Sequence, residues 1–442
     1  MYKIKILFLS LTIAFVFQFN FLSNPVFSLI NRDVKVRVIQ YFPEDSNNPG
    51  FIDANLVGPD FTGKTIAEVR DNVTSLTTSI LPDLTEASRF RFYKDSQSLN
   101  YLNYTQYGNV REYLEPLPVG NPVPWNPSVY RPDYIQVLNR ENICDLVDNQ
   151  GVQQVWLWGY HHDEIEPAES NMAMGTNSQF YWNHGIYGDV SNSEQTNDMP
   201  VCSKTYVLFN YNYARGIPEA LEDHMHHLES ILKFLNQYNV PRDPYDNMLF
   251  WNRFVGASGY QPTISNPGCG WTHYPPNGTA DYDWYNLTPV LSDCMDWKPD
   301  GTGTKTSINC ETWAGTGCQD SGGGRSFKVW WMQSIPGYNN GLGHQGKDLK
   351  NWWDAVYDFD GVLAQGGGLL MLSRGDINAD SWVDLRDAIS MLNYIFGVPY
   401  TLYGMDLRSD NNINMLDVIE LMQLLGFSTS PSPTSVPTPV SY

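Results

Sequence analysis

The amino-acid sequence predicts an α/β (or α+β) domain with long, disulfide-tied loops, followed by a small all-α module. Three observations lead to this prediction. Strand-like and helix-like segments alternate over residues 33–368, six cysteines lie in the chain, and a thirty-residue repeat occupies residues 373–427. Strands that alternate with helices are typical of a central sheet covered by helices. The 442 residues are enough for both units.

The individual elements of the large domain follow from hydrophobic periodicity. Strands are predicted at Val34–Tyr41, Phe90–Tyr93, Val152–Tyr160, Tyr206–Tyr211 and Phe327–Met332. Helices are predicted at Thr65–Ile80, Tyr134–Asp148, Gly216–Tyr238 and Leu349–Tyr357. Residues 95–130 and 260–325 are rich in turn-forming residues and are predicted to be loops.

The N-terminus has the pattern of an export signal. Lys3 and Lys5 precede an apolar run, Ile6–Phe17, and small or turn-forming residues follow before residue 30. The alternative is an uncleaved membrane anchor, since the next residues are still fairly apolar. No other stretch has the length and apolar character of a membrane span, so we expect a secreted, extracellular or cell-surface protein.

Composition narrows the partners. The net charge of −21 argues against nucleic acid and against an anionic membrane surface. Aromatic residues make up 14% of the chain, which suits stacking on sugars as well as core packing. Residues 428–442 are almost all Ser, Thr, Pro and Val, and we expect a flexible tail there.

Cysteine usage fits an oxidising compartment. The six cysteines include no CxxC pair, so a zinc knuckle is not indicated. Their even number predicts up to three disulfides with open connectivity, and at least one bridge is expected in the Gly- and Thr-rich stretch around the last three. The candidates are Cys144, Cys202, Cys269, Cys294, Cys310 and Cys318.

The C-terminal repeat has the spacing of a calcium loop. A hard cation such as Ca²⁺ takes oxygens from alternate residues of such a loop plus one backbone carbonyl. The first copy offers Asp376, Asn378, Asp380, Trp382 (carbonyl), Asp384 and Asp387. The second offers Asp406, Asp410, Asn412 (carbonyl), Asn414 and Asp417, with Arg408 where a ligand is expected. Because a guanidinium has no oxygen, we expect one firm calcium site and one weak site.

Each loop leads into an amphipathic helix, and with these two loop–helix halves the module resembles a type I dockerin. The resemblance covers about 55 residues and implies docking to a cohesin-like domain of a scaffold or surface protein. It also implies that loop positions ten and eleven contact that partner. Those positions hold Leu385, Arg386, Met415 and Leu416, a more apolar set than the usual Ser-Thr.

Two acidic clusters in the large domain are candidates for chemistry. The predicted helix from Gly216 places Glu222, His226 and Glu229 on one face, where carboxylates and imidazole suit metal binding or acid–base catalysis. The alternative is a solvated helix face. The second cluster, with Glu164 and Glu169, follows the strand that ends at Tyr160, a favoured place for chemistry in α/β folds. Its alternative is an acidic surface loop.

Two functions therefore remain open. Dockerins usually belong to enzymes that degrade plant polysaccharide, so the resemblance implies a hydrolase that acts on glycosidic bonds. The alternative is a non-catalytic protein that binds carbohydrate or protein. If Glu164 or Glu169 faces Glu222 or His226 across a cleft at about 5 to 9.5 Å, the hydrolase is favoured, and clusters on opposite faces would favour binding.

Overall fold

The computed structural model describes residues 32–90, 98–161, 164–179, 190, 192, 198–236, 249–258, 261–262, 268–320, 322–338, 340–344, 347–365, 368–371, 375–377, 383–397, 405, 407–408 and 413–427. The predicted export signal and the C-terminal tail lie outside these residues. The described part is mixed α/β.

The strands and helices have the following bounds. The strands are β1 (Arg32–Tyr41), β2 (Leu102–Gln106), β3 (Arg111–Tyr113), β4 (Val119–Val123), β5 (Asn126–Pro132), β6 (Val152–Gly159), β7 (Ser170–Ala173), β8 (Tyr206–Asn212), β9 (Ala257–Ser258), β10 (Gln261–Pro262), β11 (Val290–Ser292), β12 (Thr306–Ile308), β13 (Gly343–His344) and β14 (Lys347–Asp348). The α-helices are α1 (Ala54–Val57), α2 (Ile66–Ala87), α3 (Tyr134–Arg140), α4 (Ile143–Asp148), α5 (Thr176–Gln179), α6 (Ile217–Asn236), α7 (Glu311–Ala314), α8 (Arg325–Ser334), α9 (Asp354–Tyr357), α10 (Phe359–Ala364), α11 (Leu385–Ile395) and α12 (Met415–Leu424).

The central sheet has the strand order β2-β1-β6-β8-β7, and β3 pairs with the far end of β1. All these strands are parallel except β7, which runs antiparallel to β8 at the edge. The middle strands are buried on both faces, with Val155–Trp158 of β6 almost fully inaccessible to solvent. A central parallel strand has no face toward water, which explains why β6 is a continuous apolar run.

Helices α2, α6 and α8 pack against one another on the sheet. Helix α2 begins at a capping box in which Thr65 Oγ1 accepts from the Glu68 N–H and the Glu68 carboxylate accepts from the Thr65 N–H. Helix α6 buries the apolar stripe that its sequence predicts, with Leu221, Leu228 and Ile231 inside the core.

Strands β1, β6 and β8 and helices α2 and α6 confirm the sequence predictions for those segments, whereas the prediction of loops over residues 95–130 is wrong. This stretch contains β2, β3 and the β4–β5 hairpin. The signal for β2 was present, since Leu102 and Tyr104 are buried and alternate with the polar, half-buried Asn103 and Thr105. Asn- and Pro-rich composition outweighed that short alternation.

The predicted strand Phe327–Met332 is also wrong, because this segment is the helix α8. A short apolar run does not separate a buried strand from a buried helix. The predicted helix Tyr134–Asp148 is divided into α3 and α4 at Asn142, which has a left-handed φ of 53°. The predicted helix Leu349–Tyr357 is helical only over α9, and α10 follows it. The predicted strand at residues 90–93 lies almost entirely outside the described residues.

Three disulfides tie the loops together, and they settle the connectivity that the sequence left open. They join Cys144 to Cys202, Cys269 to Cys294 and Cys310 to Cys318. The last confirms the bridge expected in the Gly- and Thr-rich stretch.

The C-terminal helices α11 and α12 pack against each other around a hydrophobic core of their own. This core repeats at an interval of thirty residues. Ile377 matches Leu407, Ala388 matches Val418, and Met391 matches Leu421, and all six are buried. The sequence repeat is therefore also a repeat of core positions.

Candidate functional site

A cavity of about 270 Å³ lies at the carboxyl edge of the sheet. Its walls come from the ends of β6 and β8, the first turns of α6, and the segment that precedes β7. Parallel strands end at the same edge, so the loops that follow them converge there. The segment before β7 contributes Glu166 and Glu169 to this cavity, and the first turns of α6 contribute Glu219 and Asp223. The predicted candidates Glu222, His226 and Glu229 are not among its lining residues.

Glu169 and Asp223 both line the cavity, and the charge of Glu169 acts on Asp223. The Glu169 carbonyl accepts from the Asn210 N–H of β8 at 3.4 Å, and its carboxylate accepts from the Asn192 amide. Burial raises the pKa of Asp223 well above its usual range, and the negative charges of Glu169 and Glu222 raise it further. Among the described residues, the Asp223 side chain has no hydrogen-bond or ion-pair partner.

The surroundings of Glu222, the residue directly before Asp223, change its pKa in the opposite direction. Burial by itself raises its pKa, but the hydrogen bond to His273 and the charge of Lys328 outweigh burial and lower the pKa to about 2. The Lys328 ammonium lies 2.7 Å from Glu222 Oε2 and donates to the Pro218 carbonyl at 2.8 Å. The lysine side chain is only 1% exposed. Glu222 is therefore an ionised, paired carboxylate.

His226, one turn further along α6, connects two buried networks. Its Nδ1 lies 3.1 Å from Glu229 Oε2, and Glu229 Oε1 accepts from the Thr272 N–H at 2.7 Å. On the other side, its Nε2 lies 3.1 Å from Nε2 of His273. Burial lowers the pKa of His226, but the hydrogen bond and charge of Glu229 outweigh burial, and the net effect raises it.

The other two histidines of α6 pack in the core. His224 stacks on Phe209 with a ring separation of 3.8 Å and hydrogen-bonds the Tyr211 hydroxyl at 2.7 Å. Burial lowers the pKa of His227 to about 3. Both rings are therefore neutral core residues, which distinguishes them from His226.

The structure brings together most, but not all, of the predicted site residues. Glu222, His226 and Glu229 form one connected group, and Glu169 lies close enough for its charge to act on His226. Glu164 is exposed and is not part of the cavity wall. Its backbone carbonyl instead accepts from the Tyr130 N–H of β5.

Sequence reasoning missed several residues of this site. Asp223 and His273 are not among the candidates that the sequence indicates, and Lys328 lies in the segment Phe327–Met332 that was predicted to be a strand. Trp125, which is 64% exposed and lines the cavity, lay in a supposed loop. The signal in the sequence was the adjacent pair Glu222 and Asp223 in α6. Two neighbouring carboxylates on a helix point toward different surroundings, so Asp223 could have been considered separately from Glu222.

Asp387 and Asp417, the last predicted ligands of the two calcium loops, are buried in the C-terminal module. Each accepts hydrogen bonds from backbone N–H groups of its own loop. Asp387 accepts from the N–H groups of Ile377 and Asp384, at 2.7 and 2.8 Å. Asp417 accepts from the Arg408 and Asn414 N–H groups, at 3.3 and 2.9 Å.

Other predicted calcium ligands have additional contacts or are not described. Asp384 is the N-cap of α11 and pairs with Arg386 at 2.7 Å, and Asn414 is the N-cap of α12. Asp376 lies 3.6 Å from the Lys347 ammonium. The remaining predicted ligands lie outside the described residues: Asn378, Asp380, Trp382, Asp406, Asp410 and Asn412. The predicted partner residues Leu385, Met415 and Leu416 are each about half exposed.

Comparison with protein-family models, curated proteins and solved structures finds no match to this chain. Within the described residues, no helix combines the length and hydrophobicity that a membrane crossing requires.

Proposed function

We propose that this is a secreted hydrolase whose large domain cleaves glycosidic bonds in the cavity at the carboxyl edge of the sheet. The observation that carries the proposal is the presence of Glu169 and Asp223, carboxyl groups from separate parts of the chain, in the lining of one cavity. Glycoside hydrolysis needs two carboxyl groups on opposite sides of the scissile bond. Glu169 and Asp223 supply such a pair.

The two carboxyl groups have complementary tasks. One protonates the leaving oxygen, and the other acts on the anomeric carbon directly or through a water molecule. Glu169 comes from the segment before β7, and Asp223 comes from the second turn of α6. Asp223 is thus held by a helix, and Glu169 is the residue directly before β7, where its carbonyl accepts from the Asn210 N–H of β8.

Trp125 supports a sugar as substrate. Its indole lies at the tip of the β4–β5 hairpin and is exposed at the cavity wall. The Arg131 guanidinium lies 5.3 Å from the centre of the ring and donates to the Glu166 and Pro167 carbonyls. A flat apolar ring held in place beside carboxylates is suited to stacking on the face of a sugar.

Activity on a panel of plant polysaccharides tests this function. Glu169→Gln and Asp223→Asn are each expected to reduce turnover by about 10²–10⁴-fold, the usual contribution of a general acid or base. Glu164→Gln is the matched control, because Glu164 lies in the same segment as Glu169 but outside the cavity wall. Full activity in both cavity variants would exclude the carboxyl pair.

A non-catalytic carbohydrate-binding protein is the second candidate, and the exposed Trp125 favours it. In that case the panel shows binding without turnover. Glu169→Gln then leaves affinity nearly unchanged, whereas Trp125→Ala lowers it, since stacking supplies much of the contact.

For the C-terminal module we propose calcium-dependent docking to a cohesin-like domain. The two-fold repeat of core positions and the buried aspartates that close both loops support a paired calcium-loop module. The half-exposed Leu385, Met415 and Leu416 at the starts of α11 and α12 supply apolar contact area for such a partner. Arg386 pairs with Asp384 and lies beside that surface.

Calorimetric titration of the full chain with Ca²⁺ tests the module. We expect one tight site, lost in Asp387→Ala, and one weak site, lost in Asp417→Ala. Binding to a panel of cohesin domains is expected to require Ca²⁺ and to weaken in Met415→Ser. Two equally tight sites, or docking in the presence of a calcium chelator, would contradict this scheme.

A further inference from the structure

Three side-chain donors converge beside the cavity. They are Nε2 of His226, Nε2 of His273 and Oε1 of Glu222, which all lie within 4.8 Å of one another. The two ring nitrogens are 3.1 Å apart, and His273 Nε2 is 3.3 Å from the carboxylate oxygen. His226 and Glu222 come from one helix face, and His273 reaches them from a loop.

Hydrogen bonds alone do not satisfy this arrangement. His226 Nε2 and Glu222 Oε1 both present lone pairs to His273 Nε2, and the single proton of that nitrogen cannot form a full hydrogen bond to each of them. The Tyr282 hydroxyl lies 3.3 Å from the same nitrogen, so three polar groups are within contact distance of His273 Nε2. A cation replaces the shared proton and accepts a lone pair from all three ligands at once.

The surroundings hold the ligands in the orientation that a metal needs. The Nδ1–H of His226 donates to Glu229, whose other oxygen accepts from the Thr272 N–H. This bond leaves the Nε2 lone pair of His226 directed toward the other two donors, as in carboxylate–histidine–metal arrangements. Both His226 and Glu229 are buried, so this contact is not a surface pairing.

Lys328 pairs with only one of the two carboxylate oxygens of Glu222. Its ammonium takes Oε2 at 2.7 Å, and Oε1 remains on the side of the histidines. The lysine also balances one of the two buried carboxylate charges. A divalent cation therefore enters a site with a small net negative charge and does not meet an excess of positive charge.

We propose that His226, His273 and Glu222 bind a divalent transition-metal ion of the zinc class. Two imidazoles and one carboxylate favour Zn²⁺ and its neighbours, whereas Ca²⁺ and Mg²⁺ prefer all-oxygen sets. Three protein ligands leave a coordination position for water or substrate. The site is distinct from the calcium loops in residue type and in place, and it does not depend on which bond the large domain cleaves.

Cobalt titration of the full chain tests the site, because Co²⁺ bound to nitrogen ligands gives a visible absorption spectrum. The protein is first treated with a chelator, and the titration is done in excess Ca²⁺ to occupy oxygen-rich loops. Wild type is expected to bind one equivalent. His226→Ala and His273→Gln are each expected to lose at least ~100-fold in affinity, and Glu229→Gln about 10–100-fold. His344→Ala is the control and should bind like wild type.

No cobalt spectrum in wild type, or affinities in both ligand variants within about threefold of wild type, would overturn the proposal. Circular dichroism shows whether each variant is folded. His273→Gln decides the question if His226→Ala does not fold, since His273 lies on a loop at the surface side of the cluster. Loss of cobalt binding with full glycan cleavage separates this metal site from the proposed carboxyl pair.

Discussion

Replacing Lys328 by Met should destabilise the large domain strongly. The Lys328 side chain is almost fully buried, and its ammonium pairs with Glu222 at 2.7 Å. Methionine keeps most of the packing volume but leaves the Glu222 carboxylate without its cation. Removing one partner of a buried ion pair typically costs about 3–5 kcal/mol of unfolding free energy.

The pKa of Glu222 supports this magnitude. It falls from 4.5 to about 2 despite a burial that raises it, which corresponds to roughly 3 kcal/mol in favour of the ionised form. Lys328 supplies only part of that effect, since His273 also contributes. In Lys328→Met with Glu222→Gln, both charges are absent, so the double variant should recover at least ~2 kcal/mol relative to the sum of the single variants.

Urea unfolding at pH 7 measures these differences, with disulfides intact and a chelator present so that no cation compensates the carboxylate. Lys298→Met is the control, because its pair with Asp296 is 3.7 Å long and partly exposed, and it should cost less than ~1 kcal/mol. A Lys328→Met variant within ~1 kcal/mol of wild type, or strictly additive single variants, would refute the reasoning.

Three further outcomes are expected. Burial raises the pKa of Asp198 to about 6, so its contribution to stability is full below about pH 4 and is lost as the pH rises through 6. Asp198→Asn should therefore stabilise the protein by up to ~3 kcal/mol at pH 7 and not at pH 4. Urea unfolding midpoints at the two pH values measure this difference. Gly324→Ala should lower the melting temperature more than Gly315→Ala. Both glycines have φ above +70°, but only at Gly324 would an added Cβ lie 2.3 Å from the Trp284 ring. Equal losses in the two variants would show that the clash is relieved. Thr65→Ala should cost about 1 kcal/mol by removing the N-cap of α2, and an unchanged urea midpoint would contradict this.

Local pattern was sufficient where burial alone decides structure. β1, β6, β8 and α6 were predicted because their apolar residues follow the period of the element. The same reasoning failed at α8, whose apolar run suits a strand or a helix equally. It also failed at β2, an edge strand of five residues whose partner strand β1 is distant in the sequence.

The candidate site divides in the same way. The acidic groups around Glu222 and Glu169 were visible as clusters, but the sequence left open whether they share one cleft or lie on opposite faces. The difference between Glu222 and Asp223 was not visible, because it arises from His273 and from Lys328, which lies 106 residues away from Glu222. A pKa depends on what surrounds a group in space, and the chain order of that group does not contain this information.

The sequence alone determined the periodic elements, the thirty-residue repeat and the residue types that suit calcium loops, because these properties depend on spacing along the chain. The tertiary structure decided the disulfide partners and the shared cavity of Glu169 and Asp223. It also decided the convergence of His273 with His226, which are 47 residues apart. Such contacts form only when the sheet and helices bury their apolar faces and bring distant loops to one edge.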